Sequence, residues 1–295
     1  MTKPKRKTNK KGKEKQIIQV KMQKIPEKFK VFEDCVNRVK KSTYMIVRGK
    51  KQIQDGKETI NWKTLGTGVV VAPHRMITCS HVINDPQSNS LHADGDLYYL
   101  VRHDDDDHFH IRVFTPKVNK ELFLYPEKDL GIIYLDKEFY QFDNKILKLE
   151  NEFVKISKDI KGIGTEIGIL GYPLCNLGFF NGDVSKPIIG NILLRTDKGI
   201  INCSYKDPYQ LKFYEFTLQF NSGNSGGPIF DINTGKLVGI IQGYRQIAIK
   251  VLPLEIEEEN NGIKQKHKSF DIHHAYYSRG ISVLSFGDIF IKHNI

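Results

Sequence analysis

Residues 221–228 read Asn221-Ser222-Gly223-Asn224-Ser225-Gly226-Gly227-Pro228 and lie between two apolar stretches, FYEFTLQF (213–220) and LVGIIQGY (237–244). The flanks have the length and composition of buried strands. The eight residues hold three glycines, which reach backbone conformations closed to other residues. Such a turn can aim successive N–H groups at one point, where they stabilise negative charge developing on an oxygen. A serine here has no obvious packing task. Ser225 is therefore a candidate nucleophile, with Gly223, Asn224 and Ser225 as the donor turn. Taken alone, the eight residues also read as an ordinary Gly/Ser/Asn turn.

Outward from this turn the chain continues as short apolar runs: TYMIVRG (43–49), TGVVVAP (67–73), MITCSHVI (76–83), LYYLVRH (97–103), HIRVFT (110–115), DLGIIYL (129–135) and EIGILGYP (166–173). Turn signals separate them, among them Asp94-Gly95, Asn181-Gly182 and Asn233-Thr234-Gly235. Many short strands without intervening helical periods indicate an all-β fold, an antiparallel sandwich or a pair of barrels. Two helices flank it. Pro26 and Glu27 suit a first helical turn, and Phe29, Phe32, Val36 and Val39 form one stripe, which predicts a helix over 26–40. Phe286, Ile289, Phe290 and Ile291 predict a short C-terminal helix. Residues 252–278 break the strand rhythm and read as a long loop or protruding hairpin.

Charge divides the chain in two. The net charge of +11 places twelve Lys/Arg and two Glu in residues 1–30, leaving +1 on the other 265 residues. A tail over 1–25 this rich in like charge, with little to bury, is expected to be disordered. It lacks the apolar core of a secretory signal. Lys3-Pro4-Lys5-Arg6-Lys7 resembles a short nuclear-import signal, the alternative being a solubilising tail; the expected location is intracellular, nucleus or cytoplasm. A uniformly basic nucleic-acid-binding domain is disfavoured. Any contact of residues 1–25 with nucleic acid or an acidic partner would be weak, nonspecific and salt-sensitive. No stretch approaches the roughly 20 apolar residues of a membrane-spanning helix, so no membrane partner is expected. Four cysteines (Cys35, Cys79, Cys175, Cys203) are too few for a disulfide-built scaffold and fit a reducing compartment.

A serine hydroxyl needs a base. His81 follows the apolar run Met76-Ile77-Thr78, so the reading places it at the end of a buried strand and rigidly held. The imidazole needs an orienting carboxylate. Asp129 heads the run Leu130 to Leu135, where a desolvated acid would sit; Asp136, at the other end, is the weaker rival. Each residue alone reads more simply as structural: a rim histidine, a solvated strand-edge aspartate. Together they stand in the order His, Asp, Ser, at separations of 48 and 96 residues.

That order, each residue in a matching local context, resembles the chymotrypsin-like serine proteases. The most similar branch is HtrA/Deg. The helix-then-strand opening (Phe29 to Val36, then Met45-Ile46-Val47) resembles its beginning. Gly66-Thr67-Gly68-Val69-Val70-Val71 resembles its G-S-G strand, Gly171-Tyr172-Pro173 its G-Y/N-P segment, and Asn221–Pro228 its N-P-G-N-S-G-G-P, with Ser222 in place of proline. The resemblance covers roughly 29–292. It implies two antiparallel six-stranded β-barrels with the N-terminal and short C-terminal helices, one trypsin-like protease domain over 26–295, a boundary near 150–165 and an insertion at 252–278. It implies a serine endopeptidase with His81, Asp129 and Ser225 as catalytic residues, needing no metal or cofactor, and acting on protein or peptide substrates. Trimeric assembly is common in the branch and is implied in the same way.

The departures matter. No PDZ domain is expected, because the resemblance fills the chain to its end. Val82 stands where secreted trypsins carry a cysteine, and Asn224 where they carry the aspartate that receives a new N-terminus, so activation by cleavage is not expected. The resemblance puts Gln219, Phe220, Ile241, Gln242, Gly243 and Tyr244 on the substrate pocket. No acid lies among them, so cleavage after Lys or Arg is not expected; Tyr244 and Ile241 would narrow the pocket, so cleavage is expected after small or medium apolar residues, with the Gln242–Tyr244 strand pairing with the substrate backbone. A catalytically silent binding protein docked by its basic tail is the alternative, and an esterase a third reading. Asp104–Asp107 with His103, His108 and His110 reads as a solvated hairpin tip, since successive carboxylates alternate in direction. His273-His274 lacks zinc-site spacing.

Overall fold

The computed structural model describes residues 27–54, 56–84, 92, 96–103, 109–114, 120–135, 138–140, 146–148, 153–173, 177–179, 187–189, 193–218, 221–250, 254–260, 263–269 and 272–295. The basic tail, the Asp104–Asp107 run, Asp136, Cys175, Gln219 and Phe220 lie outside them.

Helix α1 (Glu27–Lys40) turns Cys35 and Val39 inward, with Phe32 and Val36 partly covered. Its last carbonyls find partners: Val39 O accepts from Ser42 N–H (3.0 Å) and from Thr43 Oγ1 (2.9 Å). A helix end so satisfied hands the chain straight to a strand.

The N-terminal half is one antiparallel sheet of seven strands: β1 (Thr43–Gln54), β2 (Lys57–Ala72), β3 (Arg75–Thr78), β4 (Leu97–His103), β5 (Phe109–Phe114), β6 (Leu122–Tyr125) and β7 (Leu130–Tyr134). Their spatial order is β5-β4-β1-β2-β3-β7-β6. A one-turn helix, α2 (Ser80–Ile83), follows β3. Strands β8 (Glu138–Tyr140) and β9 (Ile146–Lys148) form a small pair of their own.

In the C-terminal half, β10 (Glu166–Gly171), β13 (Arg195–Lys206), β14 (Lys212–Phe216), β15 (Pro228–Asp231), β16 (Leu237–Lys250) and β19 (Ile272–Ser282) close into a barrel in the order β10-β13-β14-β19-β16-β15. The strands β11 (Leu177–Phe179) and β12 (Pro187–Ile189) pair beside it. Strands β16 and β19 run on together as far as Lys250↔Ile272, and β17 (Leu254–Asn260) pairs with β18 (Ile263–Ser269) at their far end. Of the two readings for 252–278, loop or protruding hairpin, the described residues form the antiparallel strand pair of a hairpin. Its backbone register sets Glu255, Glu257 and Glu259 opposite Lys268, Lys266 and Lys264.

The all-β expectation holds, with both helices. One barrel is closed and six-stranded; the other half carries seven strands, with no ladder between β5 and β6 among the described residues. The termini cross. Helix α1 packs on the C-terminal barrel, where Phe32 stacks on Phe230 at 6.3 Å and the Cys35 thiol donates to Ile232 O. The C-terminal helix α3 (Gly287–Lys292) reaches the N-terminal half, where Asp288 pairs with Lys128 at 2.9 Å. Buried His293, just after it, lies between the hydroxyls of Tyr125 (2.6 Å from Nε2) and Tyr134 (2.7 Å from Nδ1). Both halves contribute to one large core, which also holds Val154 of the connecting segment.

Candidate active site

Asp129 caps the turn Pro126–Lys128 in a left-handed conformation (φ 48°, ψ 41°), which aspartate tolerates better than most residues. Its N–H donates to Pro126 O. The carboxylate receives three groups. The backbone N–H of His81 donates to Oδ1 at 3.1 Å. His81 Nδ1 lies 3.0 and 2.9 Å from the two oxygens. Gln242 Nε2 donates to Oδ2 at 3.0 Å. A carboxylate only accepts, so it fixes the proton of a neutral imidazole on Nδ1 and leaves Nε2 as a base.

His81 does not end a strand. Strand β3 stops at Thr78, and His81 stands on α2, so the expectation of a strand-end histidine is corrected. The turn is short because Thr78 and Cys79 are tied down: Thr78 Oγ1 donates to Thr67 O (2.7 Å), and the Cys79 thiol donates to Ile241 O (3.1 Å). At the other end of α2, buried Arg48 donates to Ile83 O (3.0 Å).

The serine turn is built on two glycines with positive φ, Gly223 (100°) and Gly226 (82°). At Gly226 a Cβ would fall 2.1 Å from both Thr67 O and Thr78 Oγ1, so only glycine fits. Thr67 holds the turn from three sides. Its N–H donates to Ser225 O (2.8 Å), its hydroxyl donates to Gly223 O (2.7 Å), and the same hydroxyl accepts from Tyr172 N–H (3.1 Å). The three glycine-containing segments singled out in the sequence, around Thr67, Tyr172 and Ser225, are therefore one interlocked unit. Gly171 leaves room for the buried Asn224 side chain, whose Oδ1 would lie 2.3 Å from a Cβ there. Asn224 N–H donates back to Asn221 O, and Gly227 N–H to Asn224 O. The N–H groups of Gly223 and Ser225 have no protein acceptor among the described residues. Ser225 Oγ donates to Gln242 O at 3.1 Å.

Of the residues expected on the substrate pocket, Ile241 is fully buried and Tyr244 is exposed. Gly243 has open space where a Cβ would stand. Gln242 joins Asp129 through its side chain and Ser225 through its carbonyl, a contact that the sequence reading did not anticipate. Thr67 and Cys79 were likewise not singled out as site residues. Cys79 lies within the site: its thiol and ligand atoms of His81 and Asp129 are all within 4.8 Å of one another. Burial pushes the Cys79 thiol well above its usual range, and the Asp129 carboxylate adds to this. It is therefore a neutral thiol rather than a nucleophile.

Residues 66–240 match the trypsin-like peptidase domain, more than half of the chain. The chain belongs to that family, and it is a serine endopeptidase. Among solved structures, its fold is similar to the HtrA-type protease AlgW with decapeptide (TM-score 0.54, 16% identity, covering 89% of this chain and 68% of that one). A variant of the same protease, also with decapeptide, gives 0.50 at 15% identity, covering 90% and 68%. The Rv3671c protease from M. tuberculosis, in its active form, gives 0.48 at 15%, covering 89% and 85%. A comparison with curated proteins found no match.

Proposed function

We propose that the chain cleaves peptide bonds through Ser225, His81 and Asp129. The observation that carries this reading is the Asp129 carboxylate bonded at 2.9–3.0 Å to His81 Nδ1 and linked through Gln242 to the Ser225 hydroxyl. Ser225 Oγ attacks the substrate carbonyl. His81 Nε2 takes its proton and returns it to the leaving amine, and water then repeats the sequence on the acyl-enzyme. Asp129 keeps the imidazole in the reactive tautomer and stabilises its cation. The free N–H groups of Gly223 and Ser225, with the Asn224 peptide between them, receive the oxyanion.

In the resting arrangement the serine hydroxyl is committed to Gln242 O. A substrate strand laid along Gln242–Tyr244 would offer its own N–H to that carbonyl and release the hydroxyl toward His81. A peptide substrate fits the decapeptide-bearing neighbours. The lack of an acid among Gln219, Phe220, Ile241, Gln242, Gly243 and Tyr244 speaks against cleavage after Lys or Arg, and the preference for small or medium apolar side chains rests on Ile241 and Tyr244 narrowing the pocket. The test is cleavage of an unfolded protein substrate. Ser225→Ala should abolish it, and Asp129→Asn, which favours the wrong tautomer, should lower kcat by about 10⁴-fold. Wild-type turnover that survives Ser225→Ala would refute the assignment.

A further inference from the structure

Cys79 has no task in the mechanism above, yet its sulfur and ligand atoms of His81 and Asp129 all lie within 4.8 Å of one another. A thiol, an imidazole and a carboxylate converging from three positions are the donor set of zinc-class ions, which take S, N and O at about 2.3, 2.0 and 2.1 Å. Calcium and magnesium need a shell of oxygens, and this cluster offers a single carboxylate. We propose that Cys79, His81 and Asp129 bind a borderline-soft divalent cation such as Zn²⁺, and that this binding switches the enzyme off. The part of the proposal concerning inhibition rests on the protease reading; the part concerning binding does not.

Access comes from the imidazole side, since the His81 side chain is 38% exposed and that of Asp129 16%. The ion enters between His81 Nδ1 and Asp129, replacing the bond they share. The imidazole keeps its one proton, which passes from Nδ1 to Nε2. One further proton leaves, from the thiol. With Nε2 protonated, His81 has no lone pair to receive the Ser225 proton, and the first step of the reaction stops. Asp129 at the same time gives up its orienting bond to the metal. Three protein ligands leave a fourth tetrahedral position for water.

The experiment has two arms on the full chain. In the first, peptide cleavage is measured against added Zn²⁺, Ca²⁺ or Mg²⁺. Zn²⁺ should inhibit, a chelator should restore activity, and equal Ca²⁺ or Mg²⁺ should do neither. Cys79→Ser should raise the half-inhibitory Zn²⁺ concentration by about tenfold or more, each variant being scaled to its own metal-free rate. Equal zinc sensitivity in folded Cys79→Ser would overturn the proposal. In the second arm Co²⁺ is added to Ser225→Ala, which leaves all three ligands in place. A thiolate-to-cobalt charge-transfer band should appear, and it should vanish in Ser225→Ala/Cys79→Ser. Absence of the band, or its persistence without Cys79, would also overturn the proposal. This arm needs no turnover and no folded Cys79 variant to detect binding. A cobalt band in Ser225→Ala together with a wild-type chain that cleaves nothing would uphold the metal site and reject the protease reading.

Discussion

Gln242 touches both ends of the candidate triad, its amide on Asp129 and its carbonyl on Ser225. A hydrogen bond to a charged acceptor contributes about 1.5–3 kcal/mol. Gln242→Ala removes the amide and keeps the backbone carbonyl, so kcat should fall by roughly tenfold with little change in KM. Equal kcat in wild type and variant would show that Asp129 needs no third donor. The direction of this side chain was not legible beforehand. The two-residue alternation of a strand would predict it, but β16 shifts register between Ile241 and Gly243, and the alternation breaks at that point. By contrast His81, Asp129 and Ser225 were readable as candidates from chain order, although His81 stands on α2 and not at the end of a strand. The tautomer-fixing contact between His81 and Asp129 was only implied until the 2.9 Å approach was seen.

At the scale of elements, the serine turn is a graft between two sheets. Thr67 on β2 binds Ser225 O and Gly223 O, while the Gly226 N–H donates to Ile241 O on β16 at 2.7 Å. Gly226 sits where φ is positive and where Thr67 O and Thr78 Oγ1 leave no space. Gly226→Ala should therefore abolish cleavage and lower the unfolding midpoint, by several kcal/mol in stability. A variant with wild-type melting and activity would mean the turn can relax away from Thr67. The glycines were legible as a special turn, but their partners Thr67 and Thr78, over 140 residues away, were not. Strand β13 (Arg195–Lys206) was missed for a related reason. Only Ile201 in it is fully buried, so its sequence reads polar and its place is set by the ladders with β10 and β14. Helix α2 was hidden inside an apolar run, MITCSHVI, whose composition suits a buried strand or a short helix equally.

The whole molecule is held by reciprocal straps, with α1 on the C-terminal barrel and the residues after α3 on the N-terminal sheet. His293 carries the second strap. Burial holds its imidazole below the ordinary histidine range, with the nearby Lys292 and Arg75 charges acting in the same direction. The unfolded chain takes up that proton more readily than the folded one. The stability His293 contributes is thus fully present above about pH 6.5, the ordinary value, and is lost as pH falls below it. Unfolding midpoints measured from pH 7.5 to 5 should drop more steeply for wild type than for His293→Gln. Parallel curves would mean that the strap does not sense pH. His293→Ala should cost about 2 kcal/mol at pH 7.5, since two tyrosine hydroxyls lose their partner. This strap was not legible, because Tyr125 and Tyr134 are far from His293 in sequence. The fold class and the paired helices were legible, since periodicity and turn chemistry report them locally.

Ser225 as the nucleophile is the claim on which the rest depends, and covalent labelling by a fluorophosphonate probe tests it most directly. Folded wild-type protein should take up close to one label per chain, at Ser225 by peptide mapping, and Ser225→Ala should take up none. Folded protein that stays unlabelled, or a label carried on another residue, would contradict the account.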